Sequence, residues 1–325
     1  MRSGFLRYSL RRLLQLVPVM LAIAVVNFVL IRVAPGDPAL YLVGATQASP
    51  EVYEQLRRDF GLDLSLMDQL WIYFQRLFHL DLGYSFIHQA PVLDTILSRL
   101  PATFLLMGTA FVFASLIGVA LGVLSAGRAH TGTDQVIVLG ALAGYSMPVF
   151  WLGQIIVLIF SLHLDWFPSQ GMRSMRETKE GFALVLDVLH HLVLPATTYA
   201  IFHLALVFRL TRNKMLDVIV QDYILTARAK GASARRALLR HALPNALLPV
   251  MTVLGVHFGY MIAGSVLTEN VFAWPGMGRL IFESLESRDY PVISGIFLIV
   301  SAMIILANLL TDLVYAWLDP RVVLR

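Results

Sequence analysis

The side chains that could do chemistry in this chain are few, and their spacing limits what they can do. Ser146 sits in "GYSMP". A serine nucleophile of the G-x-S-x-G type needs glycine two places further on, and Pro148 stands there. His190 and His191 are adjacent, so they lack the i, i+4 spacing and the glutamate of a zinc-binding H-E-x-x-H helix. His203 and His257 are single histidines inside apolar runs. Polar groups in such places are functional candidates, with hydrogen-bonded packing as the plainer role. Of the three lysines, Lys179, Lys214 and Lys230, none closes a G-x-x-x-x-G-K-[ST] phosphate loop. There is no cysteine, which excludes disulfides, thiol nucleophiles and Cys-ligated metals. No catalytic set and no metal site emerges. An intramembrane enzyme using Ser146 or the buried histidines stays as a remote alternative. A free-standing carrier would need charged residues inside the spans, and those are sparse.

One stretch does carry organised polar chemistry: "DYILTARAKGASARRALLRHALPNALLPV", from Asp222 to Val250. Its first part predicts a short helix over 222–230. Gly231 is the left-handed stop, with Arg228 and Lys230 placed to meet the last carbonyls. Ser233 predicts the cap of a second helix. In that helix Ala234, Ala237, Leu238 and Ala242 share one face, and Arg236 and Arg240 stack at i, i+4 on another. Leu243-Pro244 then leads into an apolar run. A loop that only sets membrane topology needs charge alone. Capped helices with a face of small residues predict packing against another protein.

The elements that hold this stretch are membrane spans. Hydrophobic residues are 58% and charged residues 14%, against roughly 45–50% and about 25% in soluble domains. A span needs about 20 mainly apolar residues. Six runs qualify: Leu13–Ile31, Thr103–Ala126, Gln135–Leu162, His190–Phe208, Leu247–Leu267 and Val292–Ala316. The first is too long for a signal-peptide core and has no small-x-small site after it, so it reads as an uncleaved span. Pro148 and Pro195 predict kinks in the third and fourth. Gly118-x-x-x-Gly122, Gly140-x-x-x-Gly144 and Gly255-x-x-x-Gly259 predict close helix packing. Asp312 predicts an ion pair with a neighbouring helix or an interfacial position. Fifteen of the 25 Lys and Arg fall in the N-terminus, in the loops after spans two and four, and in the tail. That excess predicts cytoplasmic termini.

The reading is an all-α membrane protein with six transmembrane helices. Its parts are residues 1–33, the cytoplasmic N-terminus and first span; 34–102, a periplasmic loop; 103–316, a five-helix core with a cytoplasmic loop at 210–246; and 317–325, a cytoplasmic tail. Within the periplasmic loop "SPEVYEQLRRDFG" reads as a short capped helix. "MDQLWIYFQRLFHLDLG" is a second amphipathic piece, able to lie on the membrane or pack over the spans.

The basic stretch resembles the cytoplasmic motif of ABC importer membrane subunits: E-A-A, three residues, G, nine residues, I-x-L-P. Alignment on Gly231 puts the second alanine at Ala227 and the L-P at Leu243-Pro244. The departures are Leu225 for the glutamate, Thr226 for the first alanine and His241 for the isoleucine. "RRLLQLVPVM", "APGDP", "DLGYSF", "GYSMPVFWLG", "LTENVFAWPGMGRL", "RDYPVISG" and "NLLTDLVYAWLDPR" follow in order. Together they resemble the dipeptide/oligopeptide permease branch, and its first permease subunit in particular.

The resemblance implies the type I ABC importer permease fold in a bacterial inner membrane. It implies a second homologous permease, two cytoplasmic ATPases that bind ATP and Mg, and a periplasmic solute-binding protein. Membrane lipid surrounds the chain, and no nucleic acid is involved. No cofactor belongs to this chain. Leu225, Thr226, Ala227, Arg228, Lys230 and Gly231 would dock on an ATPase, with Leu243 and Pro244 fixing the angle to the fifth span. The solute would be a di- or oligopeptide, with nickel, glutathione or an oligosaccharide as alternatives in the same branch. Pathway-lining residues are not readable, with Ser146, Asn270 and Asn308 candidates on polarity alone.

Overall fold

The computed structural model describes residues 2–33, 54, 63–85, 87–175 and 179–318. The helix expected at Ser49–Gly61 lies outside the described residues apart from Glu54. The order is α1 (Arg2–Val33), α2 (Leu66–Phe78), a two-strand hairpin of β1 (Tyr84–Ser85) and β2 (Ala90–Pro91), then α3 (Val92–Gly127) and α4 (Gly132–Ser146). Next come α5 (Val149–Ile156), which runs on as π-helix over Val157–His163, α6 (Gly181–Ile219) and α7 (Asp222–Ala229). α8 has three continuous parts, Ala234–Arg236, the π-helical Ala237–Ala242 and Leu243–Gly264. The last elements are α9 (Val266–Val271), α10 (Met277–Glu286) and α11 (Tyr290–Leu318).

Five of these helices are long and apolar enough to cross a membrane, and six spans result if the bent pair α4–α5 counts as one. The expected third span is broken by 104° at Met147–Pro148. Pro148 cannot donate to a continuing helix, so its effect here is a break and not a kink. Pro195 acts differently. It lies within an unbroken 39-residue α6, where neighbouring helices make an interior proline tolerable.

α1 and α11 run antiparallel. Arg12 pairs with Asp312 at 3.2 Å, and the Asn27 amide donates to the Ser294 hydroxyl at 2.9 Å. The end of the bundle at Arg12 and Asp312 is called the base, and the opposite end the top. α7 and the start of α8 lie at the base. The hairpin, α2, α9 and α10 lie at the top.

The close helix approaches follow the glycines. A Cβ on Gly118 would stand 2.8 Å from Val207 Cβ, and one on Gly122 2.7 Å from Thr211 Cβ, so α3 and α6 touch backbone to side chain. A Cβ on Gly255 would run into the Thr311 side chain, which joins α8 to α11 in the same way. Gly140 has open space around it, while Gly144 is packed on Ile201. Of the three spacings, two are packed at both glycines and one at a single glycine.

Candidate coupling site

α7 is held at the base by one buried residue, Ile224, and by a hydrogen bond from the Asn245 amide of α8 to the Tyr223 hydroxyl at 3.1 Å. Ile224 is buried among Val123, Ala126, Met215, Ala237, Ala242 and Ala246. That cluster joins the ends of α3 and α6 to the start of α8, so the short helix is fixed to three long ones. Tyr223, Leu225, Thr226, Arg228 and Lys230 are exposed, and Ala227 is half-buried. Gly231, Leu243 and Pro244 complete the expected set. Gly231 is exposed, Leu243 half-buried against the cluster and Pro244 exposed at the start of the apolar part of α8.

The turn between α7 and α8 is built from backbone. Gly231 has φ +88°, a conformation that favours glycine. Its N–H donates to the Arg228 carbonyl at 2.9 Å, and the Ala232 N–H to the Ala227 carbonyl at 3.1 Å. The two bonds form a Schellman closure. No side chain touches the space where a Gly231 Cβ would sit, so φ and not crowding selects glycine here. Ser233 then caps α8, its Oγ accepting from the Arg236 N–H at 3.3 Å.

One expectation about this stretch needs correction. The small residues of the second helix do not await a partner. Ala237 and Ala242 are fully buried inside the chain's own cluster, and Leu238 packs against Gly127. Ala234 is exposed and does not join them. Periodicity marks a packed face without saying which neighbour packs on it. The side that remains open belongs to α7, with Leu225 at its centre and Val220 just before the helix.

Beside this site is a polar knot that sequence reasoning missed. Arg212 of α6 grips the Asp134 carboxylate of α4 with two bonds, Nε–Oδ1 at 2.9 Å and Nη2–Oδ2 at 2.8 Å. Ser125 of α3 also donates to Asp134, and the His130 N–H does so at 3.0 Å. Thr131 accepts from the Asp134 N–H. The S/T-x-x-D/E spacing of Thr131 and Asp134 is a helix-start signal that could have located it. The knot ties the base ends of α3, α4 and α6 into one body.

The remaining candidates fall elsewhere. His203 and His257 bond to each other, Nδ1 to Nε2 at 2.8 Å, and link α6 to α8. Ser146 donates to the Leu142 carbonyl at 2.8 Å on the exposed end of α4. Asn270 donates to the Val266 carbonyl at 2.8 Å. None of these is drawn into one site with another, apart from the histidine pair.

At the top, a second segment of the resemblance proves to be internal. The Glu269 carboxylate accepts from the Thr103 hydroxyl at 2.9 Å and from the Arg279 N–H at 3.0 Å. Burial pushes that carboxyl above its ordinary range, while those two donors pull it back. Trp274 is fully buried and donates its indole N–H to the Ala102 carbonyl at 2.8 Å. Glu269, Thr103 and Trp274 fasten α9 and α10 to α3.

Taken together, the structure is a bundle of long apolar helices, suited to a membrane, with a short and largely exposed helix at its base. The chain matches the family described as binding-protein-dependent transport system inner membrane component over residues 118–324. It matches the N-terminal component of the same system over residues 5–107. The chain belongs to this family, and it is a multi-pass ABC transporter permease subunit, not an enzyme.

Among curated relatives, it is 39% identical over 334 residues to the dipeptide transport system permease protein DppB of Escherichia coli (strain K12), with 98% of each chain covered. It is 38% identical over 331 residues to the di/tripeptide transport system permease protein DppB of Pseudomonas aeruginosa (strain UCBPP-PA14), again with 98% of each covered. Among solved structures it resembles the MetNI methionine ABC transporter in inward-facing conformations. There the TM-score is 0.57 at 15% identity, over 70% of this chain and 97% of that one. That likeness establishes the type I importer permease fold.

Proposed function

We propose that this chain forms half of the pathway of an ATP-driven peptide importer in a bacterial inner membrane, with both termini cytoplasmic. A second homologous permease supplies the other half, two cytoplasmic ATPases bind ATP and Mg beneath them, and a periplasmic solute-binding protein delivers the solute. Di- or oligopeptides are the solute, a reading supported by the dipeptide and di/tripeptide transport named for the relatives. The excess of Lys and Arg at the base supports the orientation.

The observation that carries the coupling role is the mounting of α7. Ile224 is buried behind it while Leu225, Thr226, Arg228 and Lys230 face outward. A push on that outer face is delivered to α3, α6 and α8 together, because one cluster holds all three. Gly231 sets the angle between α7 and α8, and Leu243-Pro244 carries α8 onward into the apolar bundle. Leu225 replaces the glutamate of the motif with an apolar anchor, and Arg228 and Lys230 supply the charged part of the contact.

Leu225→Asp in the assembled complex tests this. Leu225 is exposed, so the substitution leaves the fold intact. We expect ATPase retention in detergent to weaken by about tenfold or more, as loss of ~1.4 kcal/mol of contact energy implies. ATP-coupled peptide uptake should fall with it. Unchanged retention and uptake would remove α7 as the docking element.

A further inference from the structure

The amphipathic helix α2 lies at the end of the bundle opposite α7. Met67, Trp71, Phe74 and Phe78 lie at i, i+4, i+7 and i+11, which places them on one stripe of a 3.6-residue helix. Three of the four project outward, with Met67 76%, Trp71 67% and Phe78 78% exposed. The polar residues Asp68, Gln75, Arg76 and His79 occupy a different arc. Half-buried Ile72 is the one apolar residue among them.

The neighbouring arc, with Tyr73, fastens α2 to the bundle. Tyr73 and Phe28 of α1 have ring centroids 5.6 Å apart. The Asn27 amide reaches both the Tyr73 hydroxyl, at 3.3 Å, and the Ser294 hydroxyl of α11, at 2.9 Å. These anchors fix the depth of α2. Ser294 is four residues from the start of α11 and Asn27 six from the end of α1. At 1.5 Å per residue, α2 therefore sits roughly 6 Å and 9 Å inside the top ends of two spans.

The length of α2 is 13 residues, or about 20 Å, too short to cross the roughly 30 Å hydrocarbon core. Next to it, Val26, Val29, Leu30 and Val33 of α1 are exposed and apolar. α2 is thus fastened to a helix that is long and apolar enough to cross a membrane and whose own exposed residues are apolar.

We propose that α2 is an interfacial helix. It lies along the top leaflet with Met67, Trp71 and Phe78 in phospholipid. Lipid is the occupant because the stripe carries no charge and α2 is fastened to a helix apolar enough to cross the membrane. Trp is also the side chain most at home where acyl chains meet headgroups.

Because the chain has no cysteine, Trp71→Cys, Gln75→Cys and Phe78→Cys can each carry a single nitroxide. The labels would be read in the assembled complex, with partner cysteines replaced, in nanodiscs of phosphatidylethanolamine and phosphatidylglycerol. Collisions with molecular oxygen and with a water-soluble nickel chelate report depth. We expect the oxygen-to-nickel accessibility ratio to be several-fold higher at positions 71 and 78 than at 75. High nickel accessibility at all three positions would mean that the stripe is in water. Low accessibility to both reagents at 71 and 78 would mean that protein covers it. Either result overturns the proposal, and two independent apolar positions keep it decidable if one label disturbs assembly.

Discussion

The base and the top of this bundle each hold a segment that resembles the permease family, and the two are used in opposite ways. At the base, "DYILTARAKGAS" buries a single side chain, Ile224, and exposes most of the rest. At the top, "LTENVFAWPGMGRL" buries Thr268, Glu269, Phe272, Trp274, Met277 and Leu280. The first stretch presents a surface, and the second closes an internal brace. A shared sequence signature does not by itself mark an interface. Burial and bonding decide which of the two a segment is.

The sharpest way to break that distinction is to damage the brace. Trp274 fills space among Ala102, Leu106, Leu192 and Ala196 and donates to the Ala102 carbonyl. Trp274→Ala removes the packing and the indole hydrogen bond to that carbonyl. A loss of about 3–5 kcal/mol of stability is expected for truncating a buried aromatic of this size. It should appear as a large drop in thermal midpoint of the purified complex. The fraction that remains folded should keep its ATPase subunit, since the base is untouched. An unchanged midpoint would mean that the top is not a brace.

The next test is at the base. Ile224→Ala truncates the one buried side chain that mounts α7 and leaves the Tyr223–Asn245 hydrogen bond in place. A core Ile→Ala change costs about 2–5 kcal/mol, and here the loss is concentrated on an eight-residue helix. We expect α7 to detach locally, with ATP-coupled uptake falling further than the thermal midpoint does. Ile224→Val, which costs about 0.5–1.5 kcal/mol, should restore most uptake. A midpoint that falls in step with uptake for both variants would mean that α7 is part of the general core and not a separate lever.

The two regions also differ in how far the sequence disclosed them. At the base the turn and cap were legible because their signals are local, while the Arg212–Asp134 knot, 78 residues apart, was not. The glycine stop, the serine cap and Leu243-Pro244 all act within a few residues of themselves. The top was not legible, because Thr103 and Glu269 are 166 residues apart and Ala102 and Trp274 are 172 apart. No spacing rule links such positions.

The spans show the same division. Five of the six apolar runs fall on single long helices and the third on the bent pair α4–α5, since hydrocarbon demands a minimum length. Their ends did not follow from apolarity. α3 starts at Val92 where the run starts at Thr103, and α6 starts at Gly181 where the run starts at His190. Helices continue past the apolar stretch wherever backbone bonding and packing remain favourable. The face of small residues at Ala237 and Ala242 was legible as a packed face, while its neighbour was not. Periodicity carries no information about what lies opposite.

The smallest effect comes from the cap that starts α8. Ser233 Oγ accepts one backbone N–H, that of Arg236, on an exposed surface. Ser233→Ala leaves that donor to water and costs about 1 kcal/mol. The thermal midpoint should move little, because Ala237 still anchors the helix in the buried cluster. Amide hydrogen exchange is the more sensitive measurement, and the Arg236 amide should exchange several-fold faster in the variant. The change has to stay local if α7 is mounted through Ile224, since that contact does not depend on the cap. Faster exchange that spread through α7 as well would show that the Gly231 turn and the Ser233 cap support α7 together, and the lever would then begin at the turn instead of at Ile224.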